Sequence, residues 1–473
     1  MIDDIPSQLV DEFNHIFSVK EELARGGQGV VYRLEDPDLA AKISLEQSKK
    51  QQYLKALRYV PFPDNICITM PLSLLESGSG YIMRLLADMR PVSWFRREMP
   101  KPEDWQPASH LMEVCGDSSA AWAAASYVAN GGLQKRLSIL ASASATLARL
   151  HAEGLCYGDI SPNNLFFHPD KAQSWWIDPD NIAFDREKGL PAVYTPRFAA
   201  PEIVRGETPN SCSGDVFSMA VLAHLLLTDM FPFDGALVEQ GGGWWSDGQG
   251  NGEELMERGE FPWVFDWEDD RNAAGDVSPG INYILNKSLA MVFHQIFGSG
   301  RNHPEARPSM LKLSHAFVKA YAECLTCQNN SCGLSWYASN VDIRPGHPLI
   351  CPFCKAEIRP WLSLKAFMCV REDHEMGEMV RPLLRGKDLI VPYSMGYPYI
   401  PEEVDLPLLT LSLTEAALMI RIHDDASYYY EPERGRRVVM GENLSVSLDD
   451  AVRGLTFFNA DPAAYTIHLQ LTL

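Results

Sequence analysis

The chain has 473 residues and a formal net charge of −21, from 41 Lys and Arg against 62 Asp and Glu. This acidity argues against nucleic acid or an anionic membrane surface as the main partner. The apolar content of 46% can build the cores of two to four domains, and no apolar run approaches transmembrane length. The acidic start of the chain lacks a signal-peptide pattern, so we expect a cytoplasmic protein whose ten cysteines stay reduced.

The first pattern along the chain is a glycine-rich turn between two β-prone runs, within residues 19–33. Gly26 and Gly29 have no Cβ, which would let backbone N–H groups approach phosphate oxygens. A degenerate glycine turn taken alone is more often an ordinary hairpin turn. A short apolar strand follows and carries Lys42, which is either a phosphate ligand or a solvated surface side chain.

A stronger pattern lies at Tyr157–Asn164, where Asp159 stands five residues before Asn164. Asp178 follows fourteen residues later, and Ala200-Pro201-Glu202 comes after it. An aspartate in the first position can accept a hydroxyl proton, while Asn164 and Asp178 can hold Mg²⁺ against nucleotide phosphates. The order and the spacing of these pieces together predict a phosphoryl-transfer site.

With these motifs, residues 18–322 resemble a eukaryotic-like Ser/Thr protein kinase domain of the kind that bacteria also carry. The resemblance implies a bilobal α+β fold, with a β-rich N-lobe to about residue 86 and a helical C-lobe. Asp215 begins an apolar run that resembles the helix anchoring the family's catalytic loop. Glu202 and Arg307 resemble the family's buried ion pair, and Thr195 matches the residue typical of Ser/Thr kinases.

The same resemblance implies the roles of the site residues. Asp159 would be the catalytic base, Asn164 and Asp178 the Mg²⁺ ligands, and Lys42 the partner of the α- and β-phosphates of ATP. The other implied nucleotide-binding residues are Ala24 in the place of the first loop glycine, Gly26, Gly29, Val31 over the adenine, and Met83 as gatekeeper.

Three positions depart from the family's pattern. Gly158 stands where regulated kinases carry an arginine, so we expect no strict dependence on phosphorylation of the activation segment. Ser161 replaces the lysine that contacts the γ-phosphate. Asp178-Pro179-Asp180 replaces Asp-Phe-Gly, and proline restricts φ, which predicts a segment locked in one state.

The family's helix-C glutamate has no clear counterpart. The helix expected at Leu45–Tyr59 contains Glu46 as its only acidic residue, four positions after Lys42, while Gln51 and Gln52 lie closer to the usual depth. Glu46 is therefore equally well explained as the partner of the lysine or as a first-turn residue that favours the helix dipole.

Three further stretches lie outside the core pattern. Residues 1–17 are predicted to be an N-terminal extension. Residues 88–130 form a proline-containing insert with a helix candidate at Ser118–Ala129. Residues 235–280 form a second insert, whose Gly241–Trp245 stretch predicts a solvated loop with packed tryptophans or, alternatively, a docking surface.

Five cysteines crowd into residues 323–358, which predicts a zinc ribbon. Two cysteines separated by two residues form a knuckle that directs both thiolates at one Zn²⁺, and a second cysteine pair about twenty residues away strengthens the signal. Reduced, buried cysteines without metal are the alternative. The favoured ligands are Cys327, Cys332, Cys351 and Cys354, with Cys324 in reserve because it falls at the end of a predicted helix.

Residues 359–473 alternate apolar and polar side chains, which predicts a small β-sandwich or barrel without a catalytic constellation. We expect it to recognise a partner or the kinase itself. A kinase followed by such a ribbon resembles a bacterial group encoded with phosphatases and von Willebrand-type domains in stress and tellurite-resistance loci, which implies a partner of that kind. The predicted strands are Leu389–Tyr393, Leu408–Leu413, Leu418–Ile422, Arg437–Met440 and Tyr465–Leu473.

These patterns favour a Mg²⁺- and ATP-dependent protein kinase that acts on Ser or Thr of a protein substrate. A small-molecule phosphotransferase shares the glycine-aspartate catalytic loop but lacks the set of Ala200-Pro201-Glu202, Asp215 and Arg307. A nucleotide-binding pseudokinase that presents the ribbon and the β-rich domain as a scaffold is the other alternative. Survival of Lys42, together with both acidic site residues, favours the active enzyme.

Overall fold

The computed structural model covers the chain with gaps. The described residues are 6–26, 29–44, 60, 62–63, 66–78, 80–171, 173–187, 192–239, 252–275, 280–344, 346–368, 371–383, 385, 387–392, 407–423, 427–431, 436–438, 441–459 and 465–473. The helix expected at 45–59, with Glu46, and the Gly241–Trp245 stretch lie outside them.

An antiparallel sheet forms the N-terminal part, with the described strands in the order β1-β2-β3-β4-β6-β5. Alternate side chains of its central strands, such as Val30, Tyr32 and Ile82, are buried together beneath it, as a two-residue side-chain period requires. The strands are β1 (Gln8–Val10), β2 (Ile16–Arg25), β3 (Gly29–Leu34), β4 (Leu39–Ser44), β5 (Pro71–Leu74) and β6 (Gly80–Arg84).

The sheet begins earlier than the predicted boundary at residue 18. β1 lies inside the predicted extension and pairs with β2, which itself starts at Ile16. The Asp11 carboxylate accepts hydrogen bonds from the N–H groups of Phe13 and His15 and so fixes the turn between the two strands. A three-residue edge strand is too short to show a clear alternation of side chains, so it could not be predicted from the sequence.

Helices form most of the central part of the chain. The longest described helices are α3 and α5, and their capping groups include Ser211, whose hydroxyl accepts the Gly214 N–H. Within the part of the chain that the structure describes, none of the helices combines the length and apolar character needed to cross a bilayer. The helices to residue 323 are α1 (Ser109–Cys115), α2 (Ser118–Ala129), α3 (Gly132–Ala152), α4 (Pro201–Val204), α5 (Cys212–Thr228), α6 (Ala236–Glu239), α7 (Gly252–Glu257), α8 (Ile281–Ile284), α9 (Lys287–Phe297), α10 (Ser299–Asn302) and α11 (Met310–Glu323).

Short strands and a 3₁₀ turn shape the loops between these helices. β8 and β11 pair with each other, as do β9 and β10, and β7 adds to the latter pair. The 3₁₀ turn Pro179–Asn181 links β10 to β11. These short strands are β7 (Arg90–Pro91), β8 (Leu155–Cys156), β9 (Leu165–Phe167), β10 (Ser174–Trp176) and β11 (Ala183–Phe184).

Both predicted inserts contribute to hydrophobic cores. α1 and α2, from residues 88–130, share a core with the cysteine-rich segment, in which Leu111 and Ala121 lie with Trp336 and Phe353. The described part of residues 235–280 buries Phe261 and Trp263 in the main helical core. Packing of bulky apolar side chains thus fixes this part of the insert, while the expectation of a solvated loop with packed tryptophans concerned Gly241–Trp245 and stays a prediction.

The cysteine-rich segment consists of two small antiparallel hairpins. β12 (Cys324–Thr326) pairs with β13 (Ser335–Tyr337), and β14 (Leu349–Ile350) pairs with β15 (Glu357–Ile358). Gly333 closes the first hairpin with a φ of 63°, which is the left-handed region that favours glycine. Each hairpin therefore brings two cysteines to its turn.

The C-terminal part is a sandwich of two antiparallel sheets around an apolar core that includes Leu364, Leu411 and Leu469. Its described sheets have the strand orders β17-β16-β25-β24-β21-β22 and β18-β19-β20-β23. One helix, α12 (Leu448–Arg453), departs from the predicted all-β character. The strands are β16 (Trp361–Met368), β17 (Arg371–Pro382), β18 (Asp388–Pro392), β19 (Pro407–Leu413), β20 (Ala417–Ile422), β21 (Ser427–Glu431), β22 (Arg436–Val438), β23 (Asn443–Ser447), β24 (Leu455–Asn459) and β25 (Tyr465–Thr472).

A buried arginine ties this sandwich to the end of the helical part. Arg381 on β17 donates hydrogen bonds to the carbonyls of Tyr321, Ala322 and Cys324, at 2.7 to 2.9 Å. Tyr321 and Ala322 lie in the last turn of α11, where carbonyls lack the regular helical N–H partner, and the Tyr321 carbonyl also accepts the Cys324 N–H. One cation therefore caps the helix and joins the sandwich to it.

Candidate active site

A cavity of about 820 Å³ lies between the N-terminal sheet and the helical part. Strands β2 to β4 form its roof, and the loops that follow β8 and β10 form its floor. The sequence-predicted residues that line it are Ala24, Gly26, Gly29, Val31, Lys42, Met83, Asp159, Asn164 and Asp178. Residues predicted from separate motifs therefore share one cavity.

The glycine-rich turn sits at one edge of this cavity. Ala24 pairs with Val31 across β2 and β3, and Gly26 donates its N–H to the Gly29 carbonyl at 2.9 Å. A Cβ on Gly29 would lie 2.6 Å from the Ile43 carbonyl oxygen, whereas one on Gly26 would meet nothing. Close approach of strand β4 therefore explains Gly29, while Gly26 lines the cavity at a position with room for a side chain.

Lys42 on β4 is buried and faces two carboxylates. Its ammonium group contacts Asp178, and it donates to Asp180 Oδ2 at 2.9 Å. Burial alone would lower the pKa of Lys42, but the charges of Asp178 and Asp180 outweigh it and raise that pKa. The lysine is therefore a fixed cation at the back of the cavity and not a solvated surface residue.

The turn after β10 presents its two aspartates on different sides. Asp178 has a φ of 62°, an uncommon conformation for a residue with a side chain, and Pro179 starts the 3₁₀ turn behind it. Asp178 lines the cavity, whereas the Asp180 side chain is only 2% exposed. Asp180 also accepts the Tyr81 hydroxyl at 3.0 Å.

The loop that follows β8 contains a small hydrogen-bonded group. Asn164 donates its amide to the Asp159 carbonyl at 2.8 Å and to the Asp159 carboxylate at 3.3 Å. The Thr195 hydroxyl donates to Asp159 Oδ1 at 2.8 Å. One oxygen of the Asp159 carboxylate can thus accept a hydrogen bond from a hydroxyl group.

Asp215 supports this loop from below. The start of α5 carries Asp215, whose carboxylate accepts the N–H groups of Tyr157 at 2.6 Å and Gly158 at 3.0 Å, and lies 3.0 Å from His151 Nε2. Hydrogen bonds between a buried carboxylate and two consecutive N–H groups are strong and fix the backbone. The loop that bears Asp159 is therefore held by α5.

The same backbone explains why residue 158 is glycine. Gly158 has a φ of 89°, and a Cβ there would lie 2.6 Å from Asn210 Nδ2 and 3.0 Å from the Asn181 carbonyl oxygen. An arginine at this position would need both a strained backbone and displacement of these neighbours. The departure from the family's pattern thus has a steric cause in the surrounding loops.

The predicted ion pair behind the site is formed. Arg307 donates to both carboxylate oxygens of Glu202, at 2.7 and 2.8 Å, and its side chain is fully buried. The guanidinium also donates to the carbonyls of Gly300 and Ser213 and lies over the Phe217 ring. This arrangement joins α4 to the segment before α11.

Sequence reasoning did not assign a function to Asp180, Tyr81 or Tyr157. The Tyr157 hydroxyl donates to the Ile177 carbonyl, and the Tyr157 ring lies 4.9 Å from that of Trp176, so it joins the catalytic loop to the turn bearing Asp178. The sequence contains Asp180 as a second aspartate, two residues after Asp178. Nothing in the sequence showed that it would turn inward, because that depends on the fold of the turn.

Two of the cavity's polar groups suit a hard cation. Asn164 and Asp178 both line the cavity and offer amide and carboxylate oxygens, the ligand types that Mg²⁺ prefers. When bound, such an ion would neutralise charge on nucleotide phosphates. Met83 lines the same cavity together with Leu85 and Leu86.

The sulfur atoms of Cys327, Cys332, Cys351 and Cys354 lie within 4.8 Å of one another and could hold a metal ion. The Sγ separations are 3.6 Å for Cys327–Cys354 and 4.0 Å for Cys332–Cys351. Four bonds of about 2.3 Å from sulfur to a tetrahedral zinc ion would set the sulfurs about 3.8 Å apart. The cluster has the dimensions of that site.

Position, and not acidity, separates the cluster from Cys324. Hydrogen bonds from Cys327 and Cys332 lower the pKa of the Cys351 thiol, while hydrogen bonds with Cys327 and Cys351 raise the pKa of the Cys332 thiol. Burial raises the pKa of Cys324 to about 12, and its sulfur is not in the metal-sized cluster among the described residues. Cys324 thus behaves as a core residue of β12.

Comparison with known proteins gives partial matches. No protein-family model matches the chain. Human serine/threonine-protein kinase H1 is 32% identical over 91 residues, which is 18% of this chain and 21% of that protein. The maternal embryonic leucine zipper kinase of Danio rerio is 34% identical over 94 residues, 19% of this chain and 14% of that protein. Serine/threonine-protein kinase PknD of Chlamydia caviae is 24% identical over 239 residues, 46% of this chain and 24% of that protein.

The matched segments therefore span about a quarter or less of the length of these relatives. The mixed sheet-and-helix architecture and the cavity between its two parts agree with a kinase fold. The homologues of this chain are serine/threonine kinases, at modest identity and over part of its length.

Proposed function

We propose that the chain is an ATP-dependent protein kinase that transfers the γ-phosphoryl group to Ser or Thr hydroxyls. The observation that supports this most directly is the group around Asp159, which receives the Thr195 hydroxyl at 2.8 Å and the Asn164 amide at 3.3 Å. A second support is Lys42, a buried cation that faces the same cavity.

In this proposal the adenine lies beneath the glycine-rich turn, against Val31 and Met83, and the phosphates extend toward Lys42. Asn164 and Asp178 would hold Mg²⁺, which supplies positive charge to the phosphates. The substrate hydroxyl oxygen forms a bond to the γ-phosphorus, and the bond from that phosphorus to the bridging oxygen of ADP breaks. Asp159 accepts the hydroxyl proton.

Thr195 and Ser161 bear on the choice of substrate. The Thr195 hydroxyl lies beside the Asp159 carboxylate. In this proposal a substrate serine or threonine hydroxyl approaches Asp159 from the side on which Thr195 lies. Ser161 is buried and carries no charge to replace the missing lysine of the family. This loss is the observation that keeps a nucleotide-binding pseudokinase as the second candidate.

The ribbon and the sandwich have a structural part in the proposal. We assign Zn²⁺ to the four-cysteine cluster, because thiolates at this spacing suit a tetrahedral structural site. The ribbon shares its core with α1 and α2, and Arg381 joins the sandwich to α11. The sequence of the sandwich predicts no catalytic constellation, and in this proposal the sandwich serves to recognise a partner.

Autophosphorylation with labelled Mg-ATP tests the proposal. The intact chain is compared with Asp159→Asn, and labelled residues are mapped by mass spectrometry. Phosphoserine or phosphothreonine that vanishes in the variant supports the kinase. ATP binding without transfer to the chain or to an added protein substrate selects the pseudokinase, and transfer to an aminoglycoside-type acceptor alone selects a small-molecule phosphotransferase.

A further inference from the structure

Asp180 is a buried carboxylate with two assigned partners on the N-terminal sheet. It accepts from Lys42 Nζ at 2.9 Å on β4 and from the Tyr81 hydroxyl at 3.0 Å on β6, while its side chain is 2% exposed. Lys42 and Tyr81 are directly paired across these two strands. A buried charge is tolerated only where it is paired and hydrogen-bonded, and both conditions are met here.

The turn that carries Asp180 separates the tasks of its two acids. Asp178 lines the nucleotide cavity, whereas Asp180 does not line it but accepts hydrogen bonds from two residues that do, Lys42 and Tyr81. Pro179 fixes one backbone angle between them, and the Ile182 N–H closes the 3₁₀ turn on the Pro179 carbonyl at 3.1 Å. The position of Asp180 is therefore set by backbone geometry and not by a long, flexible side chain.

We propose that Asp180 is the positioning residue for Lys42, holding the lysine at the back of the cavity when the phosphates and a cation engage Asp178. This inference rests on the proposed function. It assigns to Asp180 the task for which the sequence pointed to Glu46 in residues 45–59. Tyr81 is the second anchor, because its hydroxyl fixes the other carboxylate oxygen.

The arrangement has a consequence for how the site is assembled. Lys42 contacts both Asp178 and Asp180 in the structure. When Asp178 turns toward the phosphates and their cation, Lys42 therefore still has the Asp180 carboxylate as a partner. Because Asp180 lies two residues from Asp178 on the same short turn, Lys42 keeps a carboxylate partner without the movement of another helix. The lysine is thus positioned by the floor of the cavity and by its own sheet.

Two substitutions test the assignment. Asp180→Asn keeps the shape and the oxygen that accepts from Tyr81 but removes the charge that holds Lys42. The matched control is Asp170→Asn, an exposed aspartate on the turn before β10. Affinity for a fluorescent ATP analogue, with and without Mg²⁺, is measured along with the melting temperature and with kcat and KM for ATP.

We expect Asp180→Asn to weaken nucleotide affinity and lower kcat/KM for ATP roughly 10- to 100-fold, the range for one charge-assisted hydrogen bond. Asp170→Asn should behave as the wild type. Glu46→Gln should have a smaller effect than Asp180→Asn. Since Asp180 acts through the lysine, Asp180→Asn should add little to Lys42→Met in nucleotide affinity, whereas independent effects would add.

The assignment is overturned if Asp180→Asn binds nucleotide as tightly as the Asp170→Asn control, or if Glu46→Gln weakens nucleotide affinity more than Asp180→Asn does. It is also overturned if Asp180→Asn no longer melts cooperatively, because its weaker nucleotide affinity would then reflect unfolding. Nucleotide affinity does not depend on phosphoryl transfer. A wild type that binds ATP but transfers nothing therefore refutes the proposed kinase, while the ranking of the variants still decides the role of Asp180.

Discussion

The buried pair of Glu202 and Arg307 allows a quantitative prediction. Arg307→Met keeps a chain of similar length over the Phe217 ring but removes both hydrogen bonds to Glu202, at 2.7 and 2.8 Å. The Glu202 side chain is 4% exposed, so its charge would lose its cation without gaining water. Loss of one partner from such a pair costs about 3–5 kcal/mol of folding free energy.

For a domain of about 300 residues, with an unfolding entropy of about 2.1 cal/mol/K per residue, a loss of 3–5 kcal/mol corresponds to a fall in Tm of roughly 5–8 °C. Calorimetry or thermal melting of the intact chain and of Arg307→Met at pH 7 measures it. Arg307→Met combined with Glu202→Gln should recover part of the loss, because no unpaired charge remains buried. A single variant within about 1 °C of the wild type would refute the reasoning, since a surface pair would behave that way.

Three further predictions concern the cluster and the catalytic loop. Metal analysis should find one Zn²⁺ per chain, which Cys351→Ser abolishes and Cys324→Ser leaves unchanged; zinc loss in both variants would contradict the ligand assignment. Thr195→Val should lower kcat about 10- to 100-fold at unchanged nucleotide affinity, and equal losses in both quantities would show a general disturbance. Gly158→Ala should cost about 1–3 kcal/mol in urea unfolding because residue 158 is left-handed and crowded, and a neutral result would remove the steric explanation.

Much of the site could be predicted because its residues lie in short, ordered motifs. Asp159, Asn164 and Asp178 were recognised by spacing, and the cavity brings them together. The pairing of Glu202 with Arg307 was expected from the resemblance and is formed. Such residues lie next to glycine, proline or buried strands, and these neighbours form short patterns that can be recognised in a single sequence.

The role of Asp180 could not be predicted in that way. Its partners, Lys42 and Tyr81, are 138 and 99 residues away, and only the fold of the 3₁₀ turn directs the side chain toward them. The sequence directed attention to Glu46, because a lysine partner is usually sought on the following helix. Interactions between distant segments leave no local pattern in one sequence.

The sandwich shows the same contrast between local and distant signals. β19 and β20 match the expected strands at Leu408–Leu413 and Leu418–Ile422, because one face of each packs in the core. β17 was missed. It is an edge strand rich in acidic residues, and charged edge strands lack the apolar alternation that identifies a strand in sequence.

Transfer of the γ-phosphoryl group to a hydroxyl is the central claim, and a peptide-library assay tests it most directly. Labelled Mg-ATP is incubated with peptide libraries in which the only hydroxyl is serine, threonine or tyrosine, using the intact chain and Asp159→Asn. Label on the serine and threonine libraries that the variant abolishes is the predicted result. Label confined to tyrosine, or ATP binding without label on any library, would contradict the account.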